Sequence, residues 1–398
     1  MKKIVAFLGE NYWNEGEFYH AKPTSAAFLQ QVTEDADLLV LAPVTGNTLP
    51  ANEASSHVHK QNFVAFPYYS STKNFIVKSL TQKNFLKEFI KKCDFVINND
   101  NHQIFWIRTP SIGAVIFGMR VLKYNKILIN HMCADASNTW KDKKYSLIEK
   151  IFGFITSRLI LAMLKKICSS PYTINLCTGD ALEEFSKKAN PENTHQFVDI
   201  MIKDVVSEIN NSEVPLEENK QILNILFVGR IVEDKGIFEL INAVAKKPNL
   251  FHLTIVGDGP DLAKCKNMIA LKKVNNIIFT GQLAHSEISE AYNHSDVTIV
   301  PSNNYYEGFP RVIMESWYHG KPVIVSDVGG IKAFVKNETN GLIIDRGSSD
   351  SIFNALNRLY SDQELYDRLK AGAFNMKKIC TQRYWVSIVR EAIKEKVN

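Results

Sequence analysis

The sequence predicts an α/β protein built from two doubly wound parallel-sheet domains. Short apolar runs alternate with helical stretches along both halves of the chain, which is the pattern of βαβ units. The chain has 398 residues, enough for two domains with full cores. A polar stretch with little periodicity, residues 207–221, separates the halves as a linker. Ligands of such folds bind beyond the carboxyl ends of the strands, so we expect an interdomain cleft.

The apolar runs place the strands in order within domains of residues 1–206 and 222–375. In the first domain the predicted strands are Ile4–Leu8, Leu38–Ala42, Phe63–Phe66, Phe95–Ile97, Ile104–Ile107, Ile127–Ile129 and Thr173–Leu176. In the second they are Ile225–Val228, His252–Val256, Ile277–Thr280, Val297–Val300, Val323–Val325 and Leu342–Ile344. The last residues, 376–398, are predicted to form a helix that crosses back to the first domain.

Composition favours a soluble globular protein of the cytoplasm. The hydrophobic share is 45% and the charged share 22%, and a net charge of +5 is too mild to indicate a nucleic-acid partner. Six cysteines without paired spacing predict free thiols rather than disulfides or a zinc site. The first apolar run is ended by Glu10, so it is a strand rather than a signal peptide, and no run is long enough to span a membrane.

The segment Tyr306–Glu315 carries the strongest functional signal. A Gly-Phe-Pro turn opens a helix there, with Glu307 in the turn and Glu315 more than one turn inside the helix. Backbone N–H groups at a helix N-terminus bind phosphate readily. The residues of this predicted N-terminus are Gly308, Phe309, Pro310, Arg311 and Val312. The pattern predicts a binding site for a nucleotide sugar. Its diphosphate would bind at the helix N-terminus, and each of its two sugar rings would bind one carboxylate.

Loops after other strands of the second domain complete this predicted donor site. Gly229 lets the chain turn off the first strand, so that Arg230 and Lys235 project over the cleft as partners for a diphosphate. The VGDGP sequence after the next strand departs from a dinucleotide fingerprint and is interpreted as a tight turn. The loop at Leu283, after the third strand, is predicted to face the nucleobase.

Candidates in the first domain follow its strands in the same way. Gly16, in a loop after the first strand, would allow backbone to approach a ligand closely. Arg108 and His131 end neighbouring strands and are predicted to line the cleft, Arg108 on the acceptor side. The spacing of Asp35 and Asp37 could suit a metal, but the pair precedes its strand, so we predict neither metal nor cofactor.

A basic apolar stretch between Arg120 and Lys166 predicts contact with an anionic membrane. This stretch contains ten Lys and Arg residues but only three Asp and Glu residues. The run Ile151–Leu164 is too short to span a bilayer and suits an interfacial helix, although a helix packed on the sheet is the alternative. The candidate membrane contacts are Lys143, Lys144, Lys150, Arg158, Lys165 and Lys166.

In combination, the motifs of the second half resemble those of retaining GT-B glycosyltransferases of the family-4 type, the glycosyl transferases group 1. These motifs are GR-x4-KG from Gly229, VGDGP from Val256, PS at Pro301, EGFP-x4-E from Glu307, GKPVIVSDVGG from Gly320 and NGLI from Asn340. The stretch around Arg108 is similar to a looser pattern in bacterial capsule and exopolysaccharide members. Two positions depart from the family: Ala333 stands where it often has Glu, and His131 lies outside its clearer histidine motif.

The resemblance implies metal-independent transfer of a hexose from a nucleotide sugar, expected to be a UDP-sugar, with retention at the anomeric carbon. Glu307 would hold donor-sugar hydroxyls, Glu315 the ribose, and His131 would be catalytic. The acceptor would be a saccharide, expected to be lipid-linked, on the inner face of the cell membrane. A phosphorylase, a nucleotide-sugar epimerase and a non-catalytic subunit remain alternatives, and the residues leave the sugar, base and acceptor open.

Overall fold

A computed structural model describes residues 3–34, 38–46, 54–99, 104–141, 145–203, 222–304 and 306–397. By their contacts the residues divide into two units. The first comprises Met1–Met201, Tyr306–Gly308 and Trp385–Asn398, and the second comprises Ile202–Tyr305 and Phe309–Tyr384. The predicted linker, residues 207–221, lies outside the described residues, and the predicted domain boundaries stay predictions.

Strands and helices alternate through both units. The strands are β1 (Ile4–Phe7), β2 (Trp13–Glu15), β3 (Phe18–Ala21), β4 (Leu38–Pro43), β5 (Ser56–His59), β6 (Phe63–Phe66), β7 (Ile104–Thr109), β8 (Ile127–Met132), β9 (Thr173–Cys177), β10 (Thr194–Gln196), β11 (Leu223–Val228), β12 (Phe251–Val256), β13 (Ile277–Gly281), β14 (Val297–Val300), β15 (Val323–Ser326) and β16 (Gly341–Ile344). The helices are α1 (Ser25–Thr33), α2 (Thr72–Thr81), α3 (Phe85–Asn99), α4 (Ile112–Lys123), α5 (Leu147–Cys168), α6 (Asp180–Lys187), α7 (Ile237–Val244), α8 (Leu262–Lys272), α9 (His285–His294), α10 (Arg311–Tyr318), α11 (Ser349–Ser361), α12 (Gln363–Met376) and α13 (Gln382–Val397).

The first unit is built on a parallel sheet with the strand order β10-β9-β8-β7-β1-β4-β6. Strand β1 is apolar and buried along its whole length, and β7 is apolar from Ile104 to Ile107 before it ends in Arg108 and Thr109, as expected of strands covered on both faces. A small antiparallel sheet, β2-β3-β5, stands beside it. The C-terminal helix α13 groups with this unit from Trp385 onward, and the Arg390 guanidinium donates to the carbonyl oxygens of Gln31 and Val32 at 2.9 and 3.1 Å.

The second unit is a parallel sheet in the order β13-β12-β11-β14-β15-β16. Helices α7, α8, α11 and α12 contribute buried side chains to one continuous core with its strands. Leu240 and Ile241 of α7 and Leu356 of α11 are fully buried in that core. All six strands predicted for this half are present, and the two parallel sheets confirm the predicted fold class.

Two predictions of local structure in the first unit are wrong. Residues Phe95–Ile97 belong to helix α3, because Phe89, Cys93, Val96 and Ile97 recur with a helical period on its buried side. The residues after β1 do not form a simple loop but continue into the β2-β3 hairpin. The other six predicted strands of this half are present, and the six cysteines are free thiols.

Candidate functional site

In the second sheet the order of the strands reverses between β11 and β14. The chain runs outward through β12 and β13 and then returns to place β14 on the other side of β11. The loops after β11 and β14 therefore leave the same edge side by side. This switch point at the carboxyl ends is where open parallel sheets bind ligands. It holds the predicted Arg230–Lys235 loop and the start of the segment that leads to Glu307.

Backbone contacts lock these two loops together. Gly236 has a φ of +71°, and a Cβ atom there would lie 1.9 Å from the carbonyl oxygen of Pro301. The N–H group of Asn303 donates to the carbonyl oxygen of Asp234 at 2.9 Å. Lys235, between these anchors, ends a short 3-10 turn and is half-buried. Its backbone position is therefore fixed relative to β14.

The VGDGP turn supports the Arg230 loop from the other side. At Gly257, φ is +135° and a Cβ atom would lie 2.0 Å from the carbonyl oxygen of Gly229. The N–H group of Ile231 donates to the carbonyl oxygen of Asp258 at 2.9 Å. These contacts agree with the interpretation of VGDGP as a tight turn. The small size of Gly257 lets the turn pack against the backbone of the Arg230 loop. Arg230 itself is exposed, with its side chain in solvent.

Helix α10 begins one residue later than predicted. Pro310 is its N-cap residue, with φ −67° and ψ 120°, so the proline precedes the helix rather than forming its first residue. The ring of Phe309 is buried and packs edge-on against that of Phe334, with centroids 4.9 Å apart. Phe309 therefore anchors the turn, while Arg311 and Val312 open the helix and are half-buried.

Glu315 and Leu283 share a neighbour that the sequence did not reveal. The hydroxyl of Tyr292, in α9, donates to Oε2 of Glu315 at 2.9 Å. The Tyr292 ring lies in a small buried cluster with Leu226 and Val256, and Leu283 packs against that cluster. The structure thus brings the predicted ribose and nucleobase residues around one buried tyrosine.

The segment containing Glu307 groups by its contacts with the first unit. Glu307 is half-buried, and its backbone forms an isolated antiparallel bridge with Ala134. A Cβ atom on the next residue, Gly308, would lie 2.6 Å from the carbonyl oxygen of Cys133 and 3.0 Å from that of Thr178. A glycine is required at this point of the motif because backbone passes on both sides.

The switch point of the first sheet lies between β1 and β7, and it contains an ion pair between a buried acid and a half-buried arginine. Glu10 follows β1, and its Oε1 lies 3.3 Å from Nη1 of Arg108, near the end of β7. The Ser25 hydroxyl also donates to Glu10. Tyr12, fully buried nearby, has a pKa raised well above its usual value by desolvation and then by the charge of Glu10. Sequence reasoning singled out Arg108 but missed Glu10, although an acid directly after the first strand was a usable signal.

His131 and Gly16 lie in different surroundings, one in the core and the other on the surface. His131 is buried in β8, where its ring meets those of Phe197 and Trp106 edge-on, with centroids 4.8 and 5.8 Å away. Its Nε2 lies 3.4 Å from Oγ1 of Thr178. Gly16, with φ +57°, is the exposed turn of the β2-β3 hairpin, and a Cβ atom there would meet nothing within 4 Å. Their predicted catalytic and donor-binding roles stay predictions.

Helix α5 exposes an apolar row flanked by basic residues. A capping box at Ser146 and Glu149 starts this helix of 22 residues. Its exposed apolar side chains are Leu147, Ile148, Ile151, Phe154, Ile155 and Leu159. Arg158, Lys165 and Lys166 are exposed and Lys150 is half-buried, whereas the predicted contacts Lys143 and Lys144 lie outside the described residues. Among the described residues, no helix is long and apolar enough to cross a membrane.

The part of the chain that the structure describes contains no group of three or more His, Cys, Asp or Glu side chains that could hold a metal ion. Asp35 and Asp37, which we interpreted as a loop rather than a metal site, lie outside the described residues.

Comparison with protein families identifies the second half of the chain. Residues 208–376 match the family model for glycosyl transferases group 1. This part of the chain is a glycosyl transferases group 1 domain. It contains the Arg230 loop, the Tyr292–Glu315 pair and the segment around Glu307. The predicted resemblance to group 1 is therefore confirmed for this half.

Individual relatives match mainly the group 1 domain. The chain is 32% identical over 173 residues to the uncharacterized glycosyltransferase MJ1607 of Methanocaldococcus jannaschii, covering 42% of this chain and 43% of the relative. It is 32% identical over 155 residues to the O-antigen biosynthesis glycosyltransferase WbnH of Escherichia coli, covering 39% and 43%. The match thus spans less than half the length of these curated relatives.

A solved structure extends the similarity in fold to the whole chain. Anabaena HepE, crystallised with UDP, superposes with a TM-score of 0.65 over 99% of both chains at 16% identity. At this identity the likeness is one of fold, and it agrees with a GT-B architecture of two Rossmann-like domains.

Proposed function

We propose that the protein is a retaining glycosyltransferase that moves a hexose from a UDP-sugar to a saccharide acceptor in the biosynthesis of a bacterial surface polysaccharide. The observation that carries the proposal is the switch point of the group 1 domain, where the Arg230–Lys235 loop is locked against the loop after β14. The names of WbnH and of the HepE complex with UDP support the pathway and the donor.

The chemistry proposed for this switch point is departure of UDP from the anomeric carbon. The bond from that carbon to the diphosphate oxygen breaks, and an acceptor hydroxyl oxygen bonds to the carbon on the same face. The hydroxyl proton passes to the departing diphosphate. Negative charge that grows on the diphosphate is met by Arg230, Lys235 and the N-terminus of α10. Glu307 is proposed to hold hydroxyls of the donor sugar and Glu315 those of the ribose.

The acceptor is proposed to bind at the switch point of the first sheet. There the Glu10–Arg108 pair presents a carboxylate and a guanidinium together. Sugar hydroxyls both donate and accept hydrogen bonds, so such a neutral pair suits them better than a single charge would. His131 is proposed to assist catalysis from β8.

The exposed row on α5 supports an acceptor held at a membrane. The exposed fractions are 81% for Ile148, 64% for Ile151 and 61% for Ile155. Soluble proteins often expose single apolar residues, but they seldom expose a continuous row of them. Cations beside the row would attract anionic lipid headgroups. We propose that α5 docks the protein on the inner face of the cell membrane, where it meets a lipid-linked saccharide.

The deciding experiment is a donor screen with the purified chain and lipid-linked saccharide acceptors. UDP-glucose, UDP-galactose, UDP-N-acetylglucosamine and a GDP-sugar are compared, and both UDP release and the glycosylated product are measured. The proposal is supported if UDP release depends on the acceptor and if an α-linked donor gives a product with an α-glycosidic bond. Conversion of the UDP-sugar without UDP release indicates an epimerase, and a requirement for inorganic phosphate indicates a phosphorylase. Binding without any turnover indicates a non-catalytic subunit.

A further inference from the structure

Tyr292 is a buried side chain of the group 1 domain that the proposed chemistry has not used. It is 1% exposed, and its hydroxyl donates to Oε2 of Glu315 at 2.9 Å. The ring of His319 stacks on it with centroids 5.1 Å apart and an interplanar angle of 6°. Nδ1 of His319 lies 3.1 Å from Oδ1 of Asn293. The stacked His319 ring covers one face of the tyrosine ring and helps to hold it in one orientation.

The hydrogen bond from Tyr292 fixes how the Glu315 carboxylate can be used. A carboxylate offers about four lone-pair positions on two oxygens, and Tyr292 occupies one of them on Oε2. Desolvation, followed by the charge of Glu315, raises the pKa of Tyr292 well above its usual value. The phenol thus stays a donor throughout the neutral range. A carboxylate held in this way is preorganised to accept hydrogen bonds from a pair of adjacent hydroxyls.

We propose that Tyr292 is a positioning residue that orients Glu315 toward the 2′- and 3′-hydroxyls of a ribonucleotide donor. The proposal rests on the proposed function, because it takes Glu315 as the ribose ligand. It adds a consequence for specificity: the domain should prefer ribonucleotides over their deoxy analogues, and the tyrosine hydroxyl should strengthen that preference. Tyr292 acts through Glu315 and is not itself expected to touch the ligand.

The test is a thermodynamic cycle between the Tyr292→Phe substitution and the ribose hydroxyls. Calorimetry gives the Kd of UDP and of 2′,3′-dideoxy-UDP for the wild type and for Tyr292→Phe. We expect Tyr292→Phe to weaken UDP about tenfold and to leave the affinity for 2′,3′-dideoxy-UDP within twofold of the wild type. With a UDP-sugar donor, KM should rise while kcat changes little, because ribose contacts are the same in the ground and transition states.

A matched control is available in the same domain. The hydroxyl of buried Tyr366 donates to the carbonyl oxygen of Asp296 at 3.1 Å, so Tyr366→Phe removes a comparable buried hydrogen bond away from Glu315. It should leave both affinities unchanged. In a Glu315→Ala background, Tyr292→Phe should have no further effect on UDP.

The outcomes separate the inference from the proposed function. Equal weakening of UDP and 2′,3′-dideoxy-UDP by Tyr292→Phe would mean a general loosening of the domain and would overturn the positioning role. So would an unchanged affinity for UDP. If the wild type bound neither UDP nor another nucleoside diphosphate, the proposed function would fail first and the inference with it.

Discussion

A Cβ atom on Gly236 would overlap the carbonyl oxygen of Pro301, at a separation of 1.9 Å. The glycine of the GR-x4-KG motif therefore serves the contact between two loops as well as its own left-handed φ of +71°. Because Lys235 immediately precedes it, the contact also sets where that cation lies along the edge of the sheet. The motif's glycine and its lysine are thus parts of one arrangement.

We predict that Gly236→Ala destabilises the protein by at least 2 kcal/mol, since left-handed strain of about 1 kcal/mol is joined by a steric overlap with backbone. The matched control is Gly320→Ala. Gly320 has a similar φ of +67°, but a Cβ atom there would meet nothing within 4 Å. Gly320→Ala should therefore lower the free energy of unfolding by the backbone strain alone. Urea unfolding of the two variants provides the comparison. Equal loss in both would mean that the Pro301 contact is relieved at no cost.

Glu307→Ala should lower kcat at least a hundredfold while leaving the fold intact. The bridge with Ala134 is made by the backbone of Glu307 and does not need its carboxylate. The loss is expected because Glu307 is proposed to hold hydroxyls of the donor sugar and so to position its anomeric carbon for the reaction. Steady-state kinetics and a thermal melt are measured together, with Glu338→Ala, an acid paired with Arg358 elsewhere in the domain, as the control. Turnover near the wild-type level in Glu307→Ala would rule out its role in the donor site.

Arg230→Ala and Lys235→Ala should each weaken UDP at least tenfold and uridine less than twofold. Both cations are proposed to meet the diphosphate, which uridine lacks, and a hydrogen bond to a charged group contributes about 1.5–3 kcal/mol. Calorimetry with both ligands measures the difference. Lys264→Ala, in α8, is the control because that cation pairs with Asp261 instead. Similar losses for UDP and uridine would count against phosphate binding.

Transfer should need no divalent metal, because the diphosphate charge is proposed to be met by Arg230, Lys235 and the N-terminus of α10. The transferase activity proposed for the purified protein, measured in EDTA, should stay within twofold of the activity measured with added Mg²⁺ or Mn²⁺. Activity that is lost in EDTA and restored by one of these ions would require a site formed with the substrate, and the proposed role of the two cations would have to be revised.

The sequence predicted the parallel strands well because each is a short, continuous apolar run. Val297–Val300 has the predicted bounds, whereas its place beside β11 is known only from the sheet. The run Phe95–Ile97 misled because three consecutive apolar residues fit a strand, although Phe89 and Cys93 continue the row at helical spacing. The length of the whole periodic segment, 15 residues in α3, favours a helix over a strand.

The candidate site was predictable where a motif lies in one segment and not where it depends on distant residues. Arg230, Lys235 and Glu315 follow recognisable turns, so their chain positions were evident. Tyr292 is 23 residues from Glu315 along the chain, and only the fold brings the two side chains together. The Glu10–Arg108 pair is similar, since β1 and β7 become neighbours only in the sheet.

The membrane surface gives the last prediction, and it separates apolar insertion from charge attraction. Replacing Ile148, Ile151 and Ile155 by Ser removes three exposed side chains from the row on α5. Replacing Lys165 and Lys166 by Glu reverses two exposed charges near its C-terminal end. Each Lys near an anionic surface contributes about 1 kcal/mol, so the double reversal should weaken binding to anionic vesicles at least thirtyfold.

Co-sedimentation with vesicles of anionic or neutral lipid, at low and at 1 M salt, checks both contributions. The charge reversal should lose its effect at 1 M salt, where the Debye length is about 3 Å, whereas the serine variant should stay weak at both salt concentrations. Leu271→Ser is the control, because Leu271 is 84% exposed on α8 of the other unit and lies outside the proposed surface. If the wild type did not sediment with anionic vesicles, α5 would not be a membrane surface. Acceptors free of lipid would then be the ones to test.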